Sequence, residues 1–359
     1  MRMIVTGGGT GGHLFPGIAV AEAMLERFPD GEVLFVSTDR AIDNKALRGR
    51  PFRTGSISCQ PLKGKSLRAA AKSLFRLPFS IWQALKLVRD FRPELVLGVG
   101  GYVTGPVVLA ARLLGVKTCI HEQNSIPGMA NRMLGKIVDR IYISIPGSEK
   151  FFPQSKVVLT GNPVRAELLG RQENFRSTGE KFRLLVLGGS QGAHRVNELV
   201  VGALCQGLAG KEIEVFHQTG AQDEEWVRKA YAEAGISATV SGFITEMAKA
   251  YARADLVVSR AGATTLAELA ALGKPAILIP YPYAADDHQS TNARFLADGG
   301  AALVFAEKEL DEARLAEALA SLRGSREQLA KMAEKMKGYA RPEATAAIVE
   351  ESLQLLKAA

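Results

Sequence analysis

The segment Gly7-Gly8-Gly9-Thr10-Gly11-Gly12-His13 lies between a short apolar run and a helix-like stretch with Pro16 near its start. Without a Cβ, glycine lets backbone N–H groups approach an anion, and a helix N-terminus adds partial positive charge. A diphosphate is the natural ligand for such a turn; the alternative is a tight strand-to-helix connection. The spacing is not the dinucleotide GxGxxG with its following acid, and no Walker lysine is present, which argues against NAD and ATP. Two further turns repeat the chemistry, Gly98-Val99-Gly100-Gly101-Tyr102-Val103-Thr104-Gly105-Pro106 and Gly188-Gly189-Ser190-Gln191-Gly192-Ala193. A fourth, Ser259-Arg260-Ala261-Gly262-Ala263-Thr264-Thr265-Leu266-Ala267-Glu268, uses small residues instead. Amides around Ala263–Thr265 suit a phosphate. Glu268, about one helical turn inside, suits the two hydroxyls of a ribose, or serves only as an acidic group favoured by the helix dipole.

Turns of this kind need strands before them and helices after them. Met3–Thr6, Val33–Ser37, Leu95–Gly98, Thr118–His121 and Arg140–Ser144 form one series of candidate strands. Leu184–Leu187, Val215–Gln218, Leu256–Ser259 and Ala276–Pro280 form a second. Most are Val/Ile/Leu-rich without alternation, the pattern of parallel strands covered on both faces. Helical stretches such as Ile18–Arg27 and Ala263–Leu272 lie between them, giving an α/β chain of repeated β-α-β units. The rhythm restarts near residue 183, after the turn Gly161-Asn162-Pro163-Val164-Arg165 and a polar stretch. The expected division is therefore 1–163, 164–340 and a C-terminal segment, 341–359, whose helix is set off by the breaker Pro342 and is expected to cross back to the first domain.

The 359 residues suit two domains, and 47% apolar with 23% charged residues suit a globular protein. The net charge of +8 favours anionic partners, among them nucleic acid, anionic membrane and phosphorylated small molecules. Aromatics are only 7% and no RNA-binding motif occurs, which disfavours nucleic acid. Three distant cysteines, Cys59, Cys119 and Cys205, give neither a disulfide framework nor a zinc pattern.

The ordered set Gly8–His13, Gly100-Gly101-Tyr102, His121-Glu122-Gln123-Asn124, Gly161–Arg165, Gly188–Ala193 and Arg260–Glu268 resembles the MurG family, the N-acetylglucosaminyltransferases of peptidoglycan synthesis. The resemblance implies a GT-B fold, two Rossmann-like domains facing across a cleft, with no metal and no cofactor. It implies transfer of N-acetylglucosamine from UDP-N-acetylglucosamine to the C4 hydroxyl of the muramyl unit of undecaprenyl-diphosphate-MurNAc-pentapeptide (lipid I), with inversion, to make lipid II. By matching motif, Glu268 would hold the ribose and the Ile244 backbone the uracil. Ser190, Arg165 and the Ala263–Thr264–Thr265–Leu266 turn would hold the donor diphosphate, and Gln289 the sugar hydroxyls. Thr10, Gly11, Gly12 and Asn124 would complete the donor site, while Gly9, Thr10, Gly11, Gly101 and Tyr102 would take the acceptor diphosphate.

An inverting transfer benefits from a general base near neutral pKa. His13 is the candidate, with a purely hydrogen-bonding helix-start histidine as the alternative. His121 and Glu122 are rivals, and Tyr102 either positions acceptor or packs. Arg165 or Arg260 would balance charge on the leaving UDP; Asp286-Asp287 is the nearest approach to a metal-binding pair.

Residues 63–92 carry Lys63, Lys65, Arg68, Lys72, Arg76, Lys86, Arg89 and Arg92 against Asp90, interleaved with Leu67, Leu74, Phe75, Leu77, Phe79, Ile81, Trp82 and Leu85. This suits a helix or pair of helices, with the bend at Pro78, lying on an anionic membrane surface. The alternative is an amphipathic helix whose apolar side is core. A peripheral enzyme on the cytoplasmic face of the membrane is expected. Competing expectations on a similar fold are another lipid-directed sugar transferase, such as a diacylglycerol glucosyltransferase, and a UDP-N-acetylglucosamine 2-epimerase.

Overall fold

The computed structural model describes residues 1–59, 67–170, 181–189, 191–207 and 212–358, side chains at 41–42 and 67–76 excepted. The chain forms two compact units, Met1–Arg165 with Arg341–Ala359, and Ala166–Ala340.

The first unit begins β1 (Arg2–Thr6), α1 (Gly11–Arg27), β2 (Glu32–Ser37), α2 (Ala41–Leu47), β3 (Arg53–Ser56) and α3 (Leu67–Phe91). It continues β4 (Leu95–Gly98), α4 (Thr104–Leu113), β5 (Lys117–Glu122), α5 (Met129–Leu134), β6 (Arg140–Ile143) and β7 (Val157–Leu159). All pairings are parallel, in the order β3-β2-β1-β4-β5-β6-β7. Alternate strand residues serve opposite faces. Met3, Val5, Phe35, Leu95, Leu97 and Tyr142 pack beneath α1, whereas Ile4, Leu34, Val36, Val96, Ile120 and Ile141 pack beneath α3, α4 and α5. Double coverage is the reason these strands read as unbroken apolar runs.

The second unit contains α6 (Ala166–Leu169), β8 (Phe182–Leu187), α7 (His194–Gly207), β9 (Ile213–Gln218), α8 (Glu224–Glu233), β10 (Ser237–Ser241) and α9 (Met247–Arg253). Then follow β11 (Leu256–Ser259), α10 (Ala263–Leu272), β12 (Ala276–Leu278), α11 (His288–Ala297), β13 (Ala302–Val304), α12 (Glu312–Gly324) and α13 (Arg326–Lys337). Its sheet is also parallel, ordered β10-β9-β8-β11-β12-β13.

Past Pro342, the last helix α14 (Ala344–Lys357) packs in the first unit against α1. Ile348, Val349 and Leu355 enter the core there, and the Tyr142 hydroxyl meets Ser352 Oγ at 2.9 Å.

Each sheet reverses its winding direction once, between β1 and β4 and between β8 and β11. Crevices outside the carboxyl ends of strands at such a reversal are where open α/β sheets bind ligands. The turns after β1, β4, β8 and β11 are the four glycine- or small-residue turns seen in the sequence.

Candidate active site

In the first unit the turns after β1 and β4 touch backbone to backbone. Gly101 has φ +85°, and a Cβ there would lie 2.4 Å from the Gly8 carbonyl oxygen. Gly100 has φ +104°, and a Cβ there would lie 2.5 Å from His13 Nδ1. Both positions thus require glycine for conformation and for space. Thr10 caps α1 in extended conformation, is exposed and makes no side-chain capping bond. Gly11, Gly12 and His13 supply the first-turn amides of α1, and the His13 N–H donates to the Thr10 carbonyl at 3.2 Å.

Gly9 departs from its expected use. Its N–H donates to Asp43, 3.1 Å from Oδ1 and 3.2 Å from Oδ2. The fully buried Asp43 carboxylate also accepts from the Thr38 N–H at 3.2 Å and from the Thr38 hydroxyl. An N–H committed to a buried carboxylate is not the donor to a diphosphate in this conformation. Gly9 therefore shapes the turn, and Asp43 fixes it from behind. Tyr102 lies beside Gly9, with the Arg40 guanidinium 5.3 Å from its ring centroid.

The three candidate bases occupy different surroundings. Glu122 is buried, and both oxygens are engaged: Oε1 accepts from Asn124 N–H (2.9 Å) and Nδ2 (3.2 Å), Oε2 from Gly128 N–H (3.2 Å) and Asn131 Nδ2 (2.9 Å). Burial raises its pKa against those bonds. Its carboxylate organises the loop carrying Asn124. His121 is fully buried, and burial lowers its pKa to about 4. Its Nε2 meets the Gly161 carbonyl at 3.1 Å and Ser144 Oγ at 3.0 Å. His13 is half-buried at the glycine turn, its Nδ1 3.1 Å from Gln123 Oε1. Of the three, His13 is the one at the mouth of a phosphate-type turn. Arg165 belongs to the first unit, its guanidinium 4.8 Å from the Phe15 ring centroid.

In the second unit α10 begins at Gly262, and Ala263, Thr264 and Thr265 provide its first-turn amides. Leu266, next along, is buried. Glu268 lies beyond the first turn and is buried, with Oε2 accepting from the Tyr251 hydroxyl at 2.9 Å. Dipole stabilisation falls off within one turn and suits exposed groups, so it gives a poor account of this carboxylate. The Ile244 N–H donates to Gln218 Oε1 at 3.0 Å, and Gln218 Nε2 donates to the Gly189 carbonyl at 2.9 Å. Gln218 thereby ties the Ile244 loop to the glycine turn after β8. Ser190 lies outside the described residues.

Gln289 accepts from the Tyr281 N–H at 3.0 Å. Asp286 and Asp287, both with positive φ, turn the chain into α11 just before it. Asp287 accepts from Ser290 Oγ at 2.6 Å, and no acidic or His/Cys cluster suited to a metal occurs among the described residues. Arg260 is committed elsewhere than expected. Its guanidinium donates to the Ile279 and Pro280 carbonyls, both at 3.2 Å, and pairs with Glu307 at 2.5 Å. These contacts brace the end of β12 and balance the guanidinium charge.

Residues 3–143 match the glycosyltransferase family 28 N-terminal domain, and 183–348 its C-terminal domain. The chain is 50% identical over 359 residues to the UDP-N-acetylglucosamine–N-acetylmuramyl-(pentapeptide) pyrophosphoryl-undecaprenol N-acetylglucosamine transferase of Desulfotalea psychrophila, covering 99% of this chain and 97% of that one. The chain belongs to the MurG family. A like-named Myxococcus xanthus relative is 44% identical, over 99% of this chain and 93% of its own. The crystal structure of Acinetobacter baumannii MurG superposes with a TM-score of 0.78 at 32% identity, covering 98% and 99% of the two chains. The fold is thus GT-B, two Rossmann-like domains. The UDP-N-acetylglucosamine 2-epimerase of Neisseria meningitidis reaches a TM-score of 0.69 at 14% identity over 99% and 100% of the chains, a likeness of fold alone.

Sequence reasoning missed Asp43, Arg40, Gln123, Gln218 and Tyr251. None belongs to a local pattern of its own, and each acts on a motif tens of residues away or in another element. The only hint was position: Gln123 lies inside the His121–Asn124 motif, and Gln218 ends a strand.

Proposed function

We propose that the chain transfers N-acetylglucosamine from UDP-N-acetylglucosamine to the C4 hydroxyl of the muramyl unit of undecaprenyl-diphosphate-MurNAc-pentapeptide. The observation that carries this reading is the placement of all four glycine- or small-residue turns at the carboxyl ends of β1, β4, β8 and β11, the strands flanking each sheet's reversal. His13 takes the proton of the C4 hydroxyl as that oxygen bonds to C1 of the donor sugar. The C1–oxygen bond to UDP breaks on the opposite face, and the α-linked donor becomes a β-linked product. Charge growing on UDP is met by the first-turn amides of α10 and by Arg165. Glu268, aligned by Tyr251, holds the ribose; the Ile244 backbone reads uracil, its N–H exchanging Gln218 for the base. Gln289, Asn124 and the Thr10–Gly12 turn hold the sugar and its diphosphate, with Ser190 in the same role. The acceptor diphosphate lies on Thr10, Gly11, Gly101 and Tyr102, with Arg40 as counter-charge. The reading names no cofactor, metal or nucleic acid.

The acceptor's polyprenyl tail requires a lipid surface. In α3, Ala84, Val88 and Phe91 enter the core, while Trp82 remains 57% exposed and stacks on the exposed Phe79 at 5.8 Å. Helix α4 packs against α3, and α5 against α4, adding exposed Leu113, Leu114, Met129 and Met133, the last at 66%. Bulky apolar groups among Lys86, Arg89, Arg112 and Lys136 suit an anionic bilayer surface. No helix among the described residues is long and apolar enough to cross a membrane, and the chain is read as peripheral on the cytoplasmic face. Residues 60–66, with Lys63 and Lys65, lie outside the described part.

The test is to incubate the protein with labelled UDP-N-acetylglucosamine and a short-chain lipid I analogue. A β-linked disaccharide lipid with label is expected. Free N-acetylmannosamine or N-acetylglucosamine without labelled lipid would overturn the reading.

A further inference from the structure

We propose that Gln123 is a positioning residue whose single side-chain amide holds the His13 ring with its proton on Nδ1 and its lone pair on Nε2. The inference deepens the reading of His13 as base and takes its catalytic meaning from it.

His121 is neutral, since burial lowers its pKa to about 4. Its Nε2 faces the Gly161 carbonyl at 3.1 Å, an acceptor only, so Nε2 carries the hydrogen and Nδ1 the lone pair. Gln123 Nε2 lies 3.1 Å from that Nδ1 and 2.7 Å from the Val99 carbonyl. Both of its hydrogens therefore have acceptors. The reversed amide would set an oxygen against a carbonyl and a lone pair, two repulsive contacts in a buried place. This leaves Gln123 Oε1 as the atom 3.1 Å from His13 Nδ1, and an oxygen there demands a donor. In the neutral His13 ring the proton is then on Nδ1, and Nε2 is the basic nitrogen. Gly100, with no Cβ, lets the ring approach the second turn closely. The array Gly161–His121–Gln123–His13 fixes both ring orientation and tautomer, the task that a carboxylate performs for histidine in hydrolytic triads.

The test uses the full chain labelled with 15N-histidine; with five histidines, His13 is assigned by its loss in H13Q. Long-range 1H–15N correlations above the titration range distinguish the two tautomers. Wild type is expected to show His13 with hydrogen on Nδ1. Q123M, similar in volume but with no hydrogen-bonding amide, is expected to shift His13 towards the Nε2–H form that histidine prefers in water. Its kcat should fall about a hundredfold, with KM for UDP-N-acetylglucosamine little changed. An Nε2–H His13 in wild type, or an unchanged tautomer in folded Q123M, overturns the proposal. Should Q123M not fold, the wild-type spectrum decides alone. Full turnover by H13Q would instead remove His13 as base and leave the tautomer result standing, so the two failures are separable.

Discussion

Asp43→Asn exchanges one acceptor oxygen of a fully buried carboxylate for an NH2 group. The amide oxygen stays at the Oδ2 position with the Thr38 N–H and hydroxyl, still 3.2 Å from the Gly9 N–H, while the new NH2 faces that N–H from the Oδ1 position, 3.1 Å away. One of the two Gly9 contacts becomes donor against donor, and the charge that strengthened the other is gone. Net hydrogen bonds to charged groups contribute about 1.5–3 kcal/mol, so a loss of about 2 kcal/mol is expected. At roughly 2–4 °C per kcal/mol for a domain of this size, the thermal transition of the first unit should fall by about 4–8 °C. If the turn must be preorganised for the acceptor diphosphate, the same 2 kcal/mol appears as a drop of roughly 30-fold in kcat/KM for the lipid acceptor. UDP affinity should fall less than acceptor kcat/KM, because the ribose and uracil positions lie in the other unit. Steady-state assays with a short-chain acceptor, with hydrogen exchange of the Gly7–Gly12 amides, check both parts. Gly9 exchange should accelerate. The opposite expectation, that the Gly9 N–H itself grips phosphate, predicts better acceptor binding once Asp43 releases it. A rise in acceptor kcat/KM in D43N would refute the reasoning.

Tyr251→Phe removes the hydroxyl that aligns Glu268, and should weaken UDP binding about tenfold by calorimetry, with an unchanged fold; equal affinity would detach Glu268 from ribose. His121 and His217 are buried, with pKa values lowered from 6.5 to about 4 and about 3. The unfolded chain therefore binds more protons below pH 6.5, and stability should be full above that pH and decline as pH falls toward 4, by about 3 kcal/mol from His121 alone. A denaturant midpoint that is flat from pH 6.5 to 4 would contradict those burials. Trp82→Ser should reduce binding to anionic vesicles by tenfold or more, since burying a large aromatic contributes about 2 kcal/mol; sedimentation indifferent to Trp82 and to salt would count against the surface reading.

The strands legible in the sequence are those in the middle of the sheets. β1, β2, β4, β5 and β6 of the first unit, and β8, β11 and β12 of the second, are largely buried and read as mainly apolar runs, while β9 was found from its Val215–Gln218 segment, half-buried on one face. The four strands that were not read, β3, β7, β10 and β13, are the four sheet edges. An edge is partly wetted, so Arg53-Thr-Gly-Ser56 and Ser237-Ala-Thr-Val-Ser241 carry no apolar signal. The turns after β1, β4, β8 and β11 were legible because glycine and small residues mark backbone that must come close to something. Which amide serves which partner was not legible. Gly9 finds Asp43 and His13 finds Gln123 only once the sheet has brought β1, β2, β4 and β5 side by side. The same holds for Arg260, whose sequence neighbours suggest phosphate and whose folded partners are Glu307 and two carbonyls.

The central claim is that His13 accepts the proton of the attacking hydroxyl. Its most direct test is single-turnover transfer by H13A, with UDP-N-acetylglucosamine affinity measured by calorimetry on the same preparation. The account predicts a rate lower by about 10²–10⁴-fold with donor affinity retained. Transfer at the wild-type rate, with the donor bound as before, would contradict it.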